Sequence, residues 1–158
     1  TEKARINSIV ATEFPSVQTS VVSTDITTAV AAKTFLEKAF LLHELFTTNG
    51  CNKAERKSRH LYDLERIMDK EFAIAAIKDD ELWNTIHHHR DIFTHMHDVD
   101  YTHDIRDRIV LVPPTEHYQT WASDYANMQS SMIYGESISF DKLIERMKEL
   151  ENRFRHTK

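Results

Sequence analysis

The sequence predicts a mainly α-helical fold, α+β overall, built as a multi-helix bundle with a few short N-terminal strands. Three observations carry this. Only two glycines and three prolines occur in 158 residues, too few for a many-turned β architecture. Several long segments repeat apolar residues at intervals of three and four. β-Branched residues concentrate near the N-terminus, at Ile6 to Val10 and Thr19 to Thr24, which read as short strands or the remnant of a sheet.

The helical segments follow in order. Ala31 to Phe46 is the first long one, with Asp25, Thr27 or Thr28 near its start and Asn49-Gly50 just past its end. Lys53 to Asp69 is the second, with Leu61, Leu64, Ile67 and Met68 as its apolar stripe. Glu71 to Ile77 and Asp80 to His95 follow, the latter opened by acids that suit the positive end of a helix dipole. Met96 to Arg108 reads as loop, and Ile109 to Val112 as a brief strand stopped by Pro113-Pro114. A helical hairpin closes the chain. Glu116 to Tyr134 carries Trp121, Tyr125, Met128 and Met132, and Phe140 to Arg155 carries Leu143, Met147, Leu150 and Phe154, with Ser139 as its cap. Residues 1–30 are thus expected to form the strand-bearing part and 31–158 the helical domain.

Composition bounds the function. A chain of this length fits one domain and buries roughly 70% of its unfolded surface. The net charge of −5 argues against a protein that coats nucleic acid, although the run Lys53, Arg56, Lys57, Arg59 is basic enough to meet an RNA backbone. Cys51 is the only cysteine, so no internal disulfide forms and a reducing cytoplasm is expected; beside Lys53 in an interhelix link, it reads as an incidental thiol. No apolar run or leader-like pattern points to a membrane or to secretion.

Chemistry concentrates in the first two helices. Lys38 borders Thr34, Phe35, Leu41 and Leu42, a mostly apolar setting for a charge. Such a lysine either runs its stem over the core and leaves the ammonium in water, or aims it into a cleft at a phosphate. His43, bordered by Ala39, Phe40, Phe46 and Thr47, reads as a core histidine. On the second helix Arg56, Arg59, His60, Asp63 and Arg66 share one face, where Asp63 has ordinary helical partners in Arg59 and Arg66.

Two of these segments, KTFLEKAFLLHE (33–44) and ERKSRHLYDLERIM (55–68), resemble the second half of the AbiEii/AbiGii-type nucleotidyltransferase toxins. The likeness extends through VDYTHD, LVPP, WASDY and MIYGESISFDKLIERMKEL, so it covers most of the chain from about Ala31. It implies the C-terminal half of a polymerase-β-like nucleotidyltransferase of a toxin–antitoxin or abortive-infection system. Such an enzyme transfers a nucleotide from an NTP, with Mg2+, to RNA such as tRNA or to protein, and a cognate antitoxin restrains it. Carried over by position, Lys38 and Asp63 are the catalytic candidates. Lys38 contacts phosphate together with Arg56, Lys57 and Arg59, and Asp63 is a partial Mg2+ ligand. The family motif reads Arg-Asp-x-x-Asp where this chain has Arg59-His60-x-x-Asp63.

The family's metal site opens with a Gly-Ser turn and an acid pair on a strand. Neither Gly50 nor Gly135 is followed by serine, and Asp98-Val99-Asp100, which has the acid spacing, reads as loop. The chain opens on threonine, which fits a trimmed or partial product, and the N-terminal nucleotidyltransferase half is expected as a missing partner. That absence also supports a second reading, a non-catalytic helical interaction module of the same family.

A histidine-rich stretch offers two more readings. His87, Asp91 and His95 lie one helical turn apart and could present metal-binding groups on one face, with His97 and His103 beyond. Arg90 and His95 form an Arg-x4-His pattern that resembles the signature of helical HEPN ribonucleases, in which arginine stabilises phosphate charge and histidine activates a ribose hydroxyl.

Overall fold

The computed structural model describes residues 1–16, 23–102 and 104–157. It divides into two compact units, Thr1–Ala31 and Ala32–Lys158. In the first, β1 (Glu2–Asn7) pairs antiparallel with β2 (Ser23–Thr28), in register from Glu2 opposite Thr28 to Asn7 opposite Ser23. The strand expected at Ile6 to Val10 is only partly one. Ser8 accepts a hydrogen bond from the Ala11 N–H at 3.4 Å and caps a short helix, α1 (Ile9–Glu13), so a local cap overrides the β preference of Ile9 and Val10. The strand expected at Thr19 to Thr24 falls largely outside the described residues; the described strand starts at Ser23.

The second unit is helical. α2 (Ala31–Thr47) is followed by a 3-10 turn over Asn49–Asn52, then α3 (Ser58–Ile67), α4 (Glu71–Ile77) and α5 (Asp80–Phe93). Short 3-10 turns at Arg106–Arg108 and Thr115–His117 lead to α6 (Tyr118–Ser131) and α7 (Phe140–Arg155). The molecule is therefore mainly helical, with seven helices and one two-stranded N-terminal hairpin among the described residues.

α2 is the central element of this unit. Phe35, Leu36, Ala39, Phe40 and Leu42 are fully covered, and apolar residues around most of its circumference mark a helix packed on several sides. Phe40 meets Trp83 of α5 at 4.5 Å between ring centroids, Phe35 stacks on Phe154 of α7, and Phe46 meets Trp121 of α6 edge-on at 4.7 Å. The α7 stripe of Leu143, Met147, Leu150 and Phe154 is wholly buried. In α6 the seam stops at Met128, because the helix ends at Ser131 and leaves Met132 exposed. Ser139 caps α7 by accepting from the Lys142 N–H. No described helix is long and apolar enough to cross a membrane.

Two segments differ from the sequence-based expectation for identifiable reasons. The second long helix starts at Ser58 instead of Lys53, because Arg56 adopts φ +57°, in the left-handed region that a helix interior excludes. Ile109 to Val112 forms no strand. The Val110 N–H donates to His43 Nδ1 at 3.1 Å and the Leu111 N–H to Glu151 Oε1 at 2.6 Å, so side chains satisfy donors that a ladder would otherwise take.

Candidate phosphate-binding cleft

Lys38 and Asp63, placed on α2 and α3, meet. The Lys38 ammonium donates to Asp63 Oδ2 at 2.7 Å, with side-chain exposures of 22% and 39%. Asp63 thus takes a partner across the helix interface, and among the described residues it forms no ion pair with Arg59 or Arg66. A pair this accessible contributes about 0–1 kcal/mol to stability, so its interest lies in where it holds the two charges.

One turn away opens a cleft of about 370 Å3 between α2, α3 and the end of α5. Leu41, Leu45 and Met96 give it apolar walls, while Lys57, Arg59, His60 and Arg90 line it with nitrogen. Arg90 is fixed from behind by Glu44, which is 1% exposed and stands in the middle of the apolar face of α2. Arg90 Nε donates to Glu44 Oε1 at 2.7 Å and Nη2 to Oε2, a bidentate fork. The Tyr101 hydroxyl also donates to Oε1, at 2.7 Å. Burial opposes the Arg90 charge, but the Glu44 carboxylate more than offsets it and raises the guanidinium pKa. Burial and the hydrogen bond to Glu44 likewise raise that of the Tyr101 phenol.

His60 has the opposite character. Burial, then the charges of Lys38 and Arg59, then that of Lys57, push its pKa down to about 4 against a smaller opposing effect of Asp63. The imidazole is neutral at neutral pH. His43 is also neutral, lowered to about 4 first by burial and then by Arg108, and at 3% exposure with Nδ1 accepting from Val110 it is the core histidine its neighbours suggested.

The start of α3 is set from another helix. Asp124 of α6 accepts from the Arg56 N–H at 2.7 Å and from the Ser58 N–H at 3.0 Å, so one carboxylate holds the left-handed turn and caps the helix together. This arrangement separates the basic residues. Lys57 and Arg59 line the cleft, whereas Arg56 turns with Arg59 toward a small pocket of about 90 Å3 beside Asp124. Asp124→Ala is expected to destabilise the protein by about 1–2 kcal/mol, read as a lower urea midpoint with an unchanged slope. Arg56→Gly in that background should recover part of the loss, because glycine adopts positive φ without strain.

The histidine-rich stretch assembles differently from the metal-site reading made of it. His95 Nδ1 lies 3.0 Å from the Asp91 carbonyl and 3.1 Å from its carboxylate, and the His95 ring stacks on Tyr101 at 5.7 Å. His87 packs between the rings of Phe40 and Tyr101. Among the described residues no three His, Cys, Asp or Glu side chains are placed to hold a metal ion. His103 lies outside the described residues. Asp98 and Asp100 sit in loop, where Asp100 pairs with Arg108. The described residues therefore do not fit a Mg2+ site, and Asp63 carries an ammonium partner instead of fellow acids. Cys51 is buried, and its carbonyl accepts from Trp121 Nε1 at 2.8 Å.

Glu44, Tyr101 and Asp124 did not stand out as site residues in the sequence, and His60 stood on the charged face of the second helix without an assigned role. For Glu44 the signal was present, since a carboxylate inside Leu41-Leu42-His43-Glu44-Leu45-Phe46 has to find a buried partner.

The family model for the nucleotidyl transferase AbiEii toxin of type IV toxin–antitoxin systems matches residues 1–146. The chain belongs to the AbiEii family. The AbiEii match takes in the first 30 residues as well as the helical motifs that carried the resemblance. No curated protein and no solved structure matches the chain. Membership in this toxin–antitoxin family implies an antitoxin partner.

Proposed function

We propose that this chain is the helical phosphate-gripping part of a cytoplasmic AbiEii nucleotidyltransferase toxin, which transfers a nucleotide from an NTP to RNA, such as tRNA, or to protein. The observation that carries this reading is the Lys38–Asp63 contact at 2.7 Å beside a cleft lined by Lys57, Arg59 and Arg90. In free protein the Lys38 ammonium rests on Asp63; a triphosphate competes for it with more charge and more acceptor oxygens, and the released carboxylate faces the arriving substrate. Lys57 and Arg59 neutralise further phosphate, and the Glu44 fork keeps Arg90 oriented before the ligand arrives. In this reading the metal ligands come from a nucleotidyltransferase half that acts together with this chain. An antitoxin restrains the assembled enzyme.

The test supplies the chain with that half and follows labelled nucleotide into RNA and protein. Lys38→Ala and Asp63→Ala should each lower transfer by at least about 100-fold while the helical circular dichroism persists. Unchanged transfer in both variants would remove the site assignment. A chain that binds a partner protein but no nucleotide under this reconstitution would instead be the interaction module.

A further inference from the structure

We propose that His60 is a further ligand of the phosphate group held in the cleft, donating a hydrogen bond from Nε2. The inference rests on the cleft reading above and extends it to a residue that stands where the family motif has an acid.

Geometry supplies the first step. His60 lines the cleft with Arg59 and Arg90, yet its Nδ1 is closed off from the surface and has no hydrogen-bond partner among the described residues. A proton on Nδ1 would bury an unsatisfied donor. The proton of the neutral ring therefore sits on Nε2, and the Nε2 edge is the one through which the ring can meet a ligand.

Charge supplies the second. The charged groups around the imidazole are Lys38 and Glu44 from α2, Lys57 just before α3, Arg59 and Asp63 from α3, and Arg90 from α5. Lys38, Arg59 and Lys57 each disfavour a charge on the ring and only Asp63 favours one, so the field at His60 resists a further positive charge. A neutral N–H donor is what such a cleft tolerates while empty. A bound phosphate supplies the acceptor that this edge lacks, and the neutral ring holds the anion through the Nε2 N–H, a bond strengthened by the charge of the phosphate itself. An aspartate at this position would repel the ligand in both states.

The experiment is imidazole NMR on the full chain between about pH 5 and 8, with and without inorganic pyrophosphate. In free protein His60 should stay neutral throughout, as a pKa of about 4 requires. With pyrophosphate the His60 Nε2 resonance should shift while the ring stays neutral across the window. His60→Gln, which keeps a donor near the Nε2 position, should bind pyrophosphate within about twofold of the parent, and His60→Ala about tenfold more weakly. If pyrophosphate perturbs Lys57 and Arg59 while His60 does not move, the His60 assignment fails and the cleft reading stands. If none of the three responds, both fail.

Discussion

Glu44→Ala is expected to destabilise the protein by about 3–5 kcal/mol, a large share of the stability of a domain this size. The carboxylate is 1% exposed and accepts three hydrogen bonds, two from Arg90 and one from Tyr101. Removing it leaves a guanidinium that is only 14% exposed without its paired carboxylate and a buried phenol without the acceptor it donates to. Two further variants separate charge from hydrogen bonding. Tyr101→Phe deletes one bond and leaves the fork intact, so its cost should stay near 1 kcal/mol. Glu44→Met combined with Arg90→Met removes both charges and should recover most of the loss, because a buried pair is often replaceable by apolar residues of similar volume. Urea unfolding of the four proteins measures this. A Glu44→Ala loss no larger than that of Tyr101→Phe would mean the fork is not holding Arg90.

That network also shows what could be read from the chain and what could not. The α7 stripe and its Ser139 cap were legible because each is local: an apolar period, and a hydroxyl three residues before the N–H it accepts from. α4 and the start of α5 were legible for the same reason, since Asp79 caps the Leu82 N–H from within its own turn. The start of α3 was not, because the group that ends the left-handed turn and caps the helix is Asp124, 66 residues beyond Ser58. Ile109 to Val112 misled similarly: its β-branched residues read as strand, but His43 and Glu151, far off in sequence, take its N–H groups.

The site divides along the same line. Lys38 and Asp63 could be named from motif position, and helix spacing offered Asp63 only Arg59 and Arg66 as partners. The contact with Lys38 depends on how α2 crosses α3, which no periodicity encodes. The histidine-rich stretch is the converse case. His87, Asp91 and His95 have a ligand-like spacing, but the helix ends at Phe93 and His95 lies beyond it at φ +27°. The three groups therefore lack the common helical face that their spacing presumes.

Acid should unfold this protein from an unusually high pH, and the buried histidine at the core sets the window. His43 has a pKa of about 4 in the folded protein and an ordinary value of 6.5 when unfolded. Between those values the unfolded chain binds a proton that the folded one refuses, so stability rises with pH there. The full contribution is present above about pH 6.5 and is progressively lost as pH falls toward about 4, a difference of roughly 3 kcal/mol for His43. Structure gives the cause twice over: burial disfavours the imidazolium, and protonating Nδ1 would remove the only acceptor the Val110 N–H has among the described residues. His60 acts in the same direction more weakly, since it is partly accessible. Asp69 and Glu149, held below their ordinary values chiefly by Arg153, lose their contributions only at still lower pH. Urea unfolding at intervals from about pH 8 to pH 4.5 should therefore show a plateau above neutrality and a steep fall below about pH 6.5. His43→Asn, which keeps an acceptor near Nδ1 without titrating, should lower stability at pH 8 and flatten that slope. A parent protein equally stable at both ends of the range would mean that His43 is not held neutral in the core.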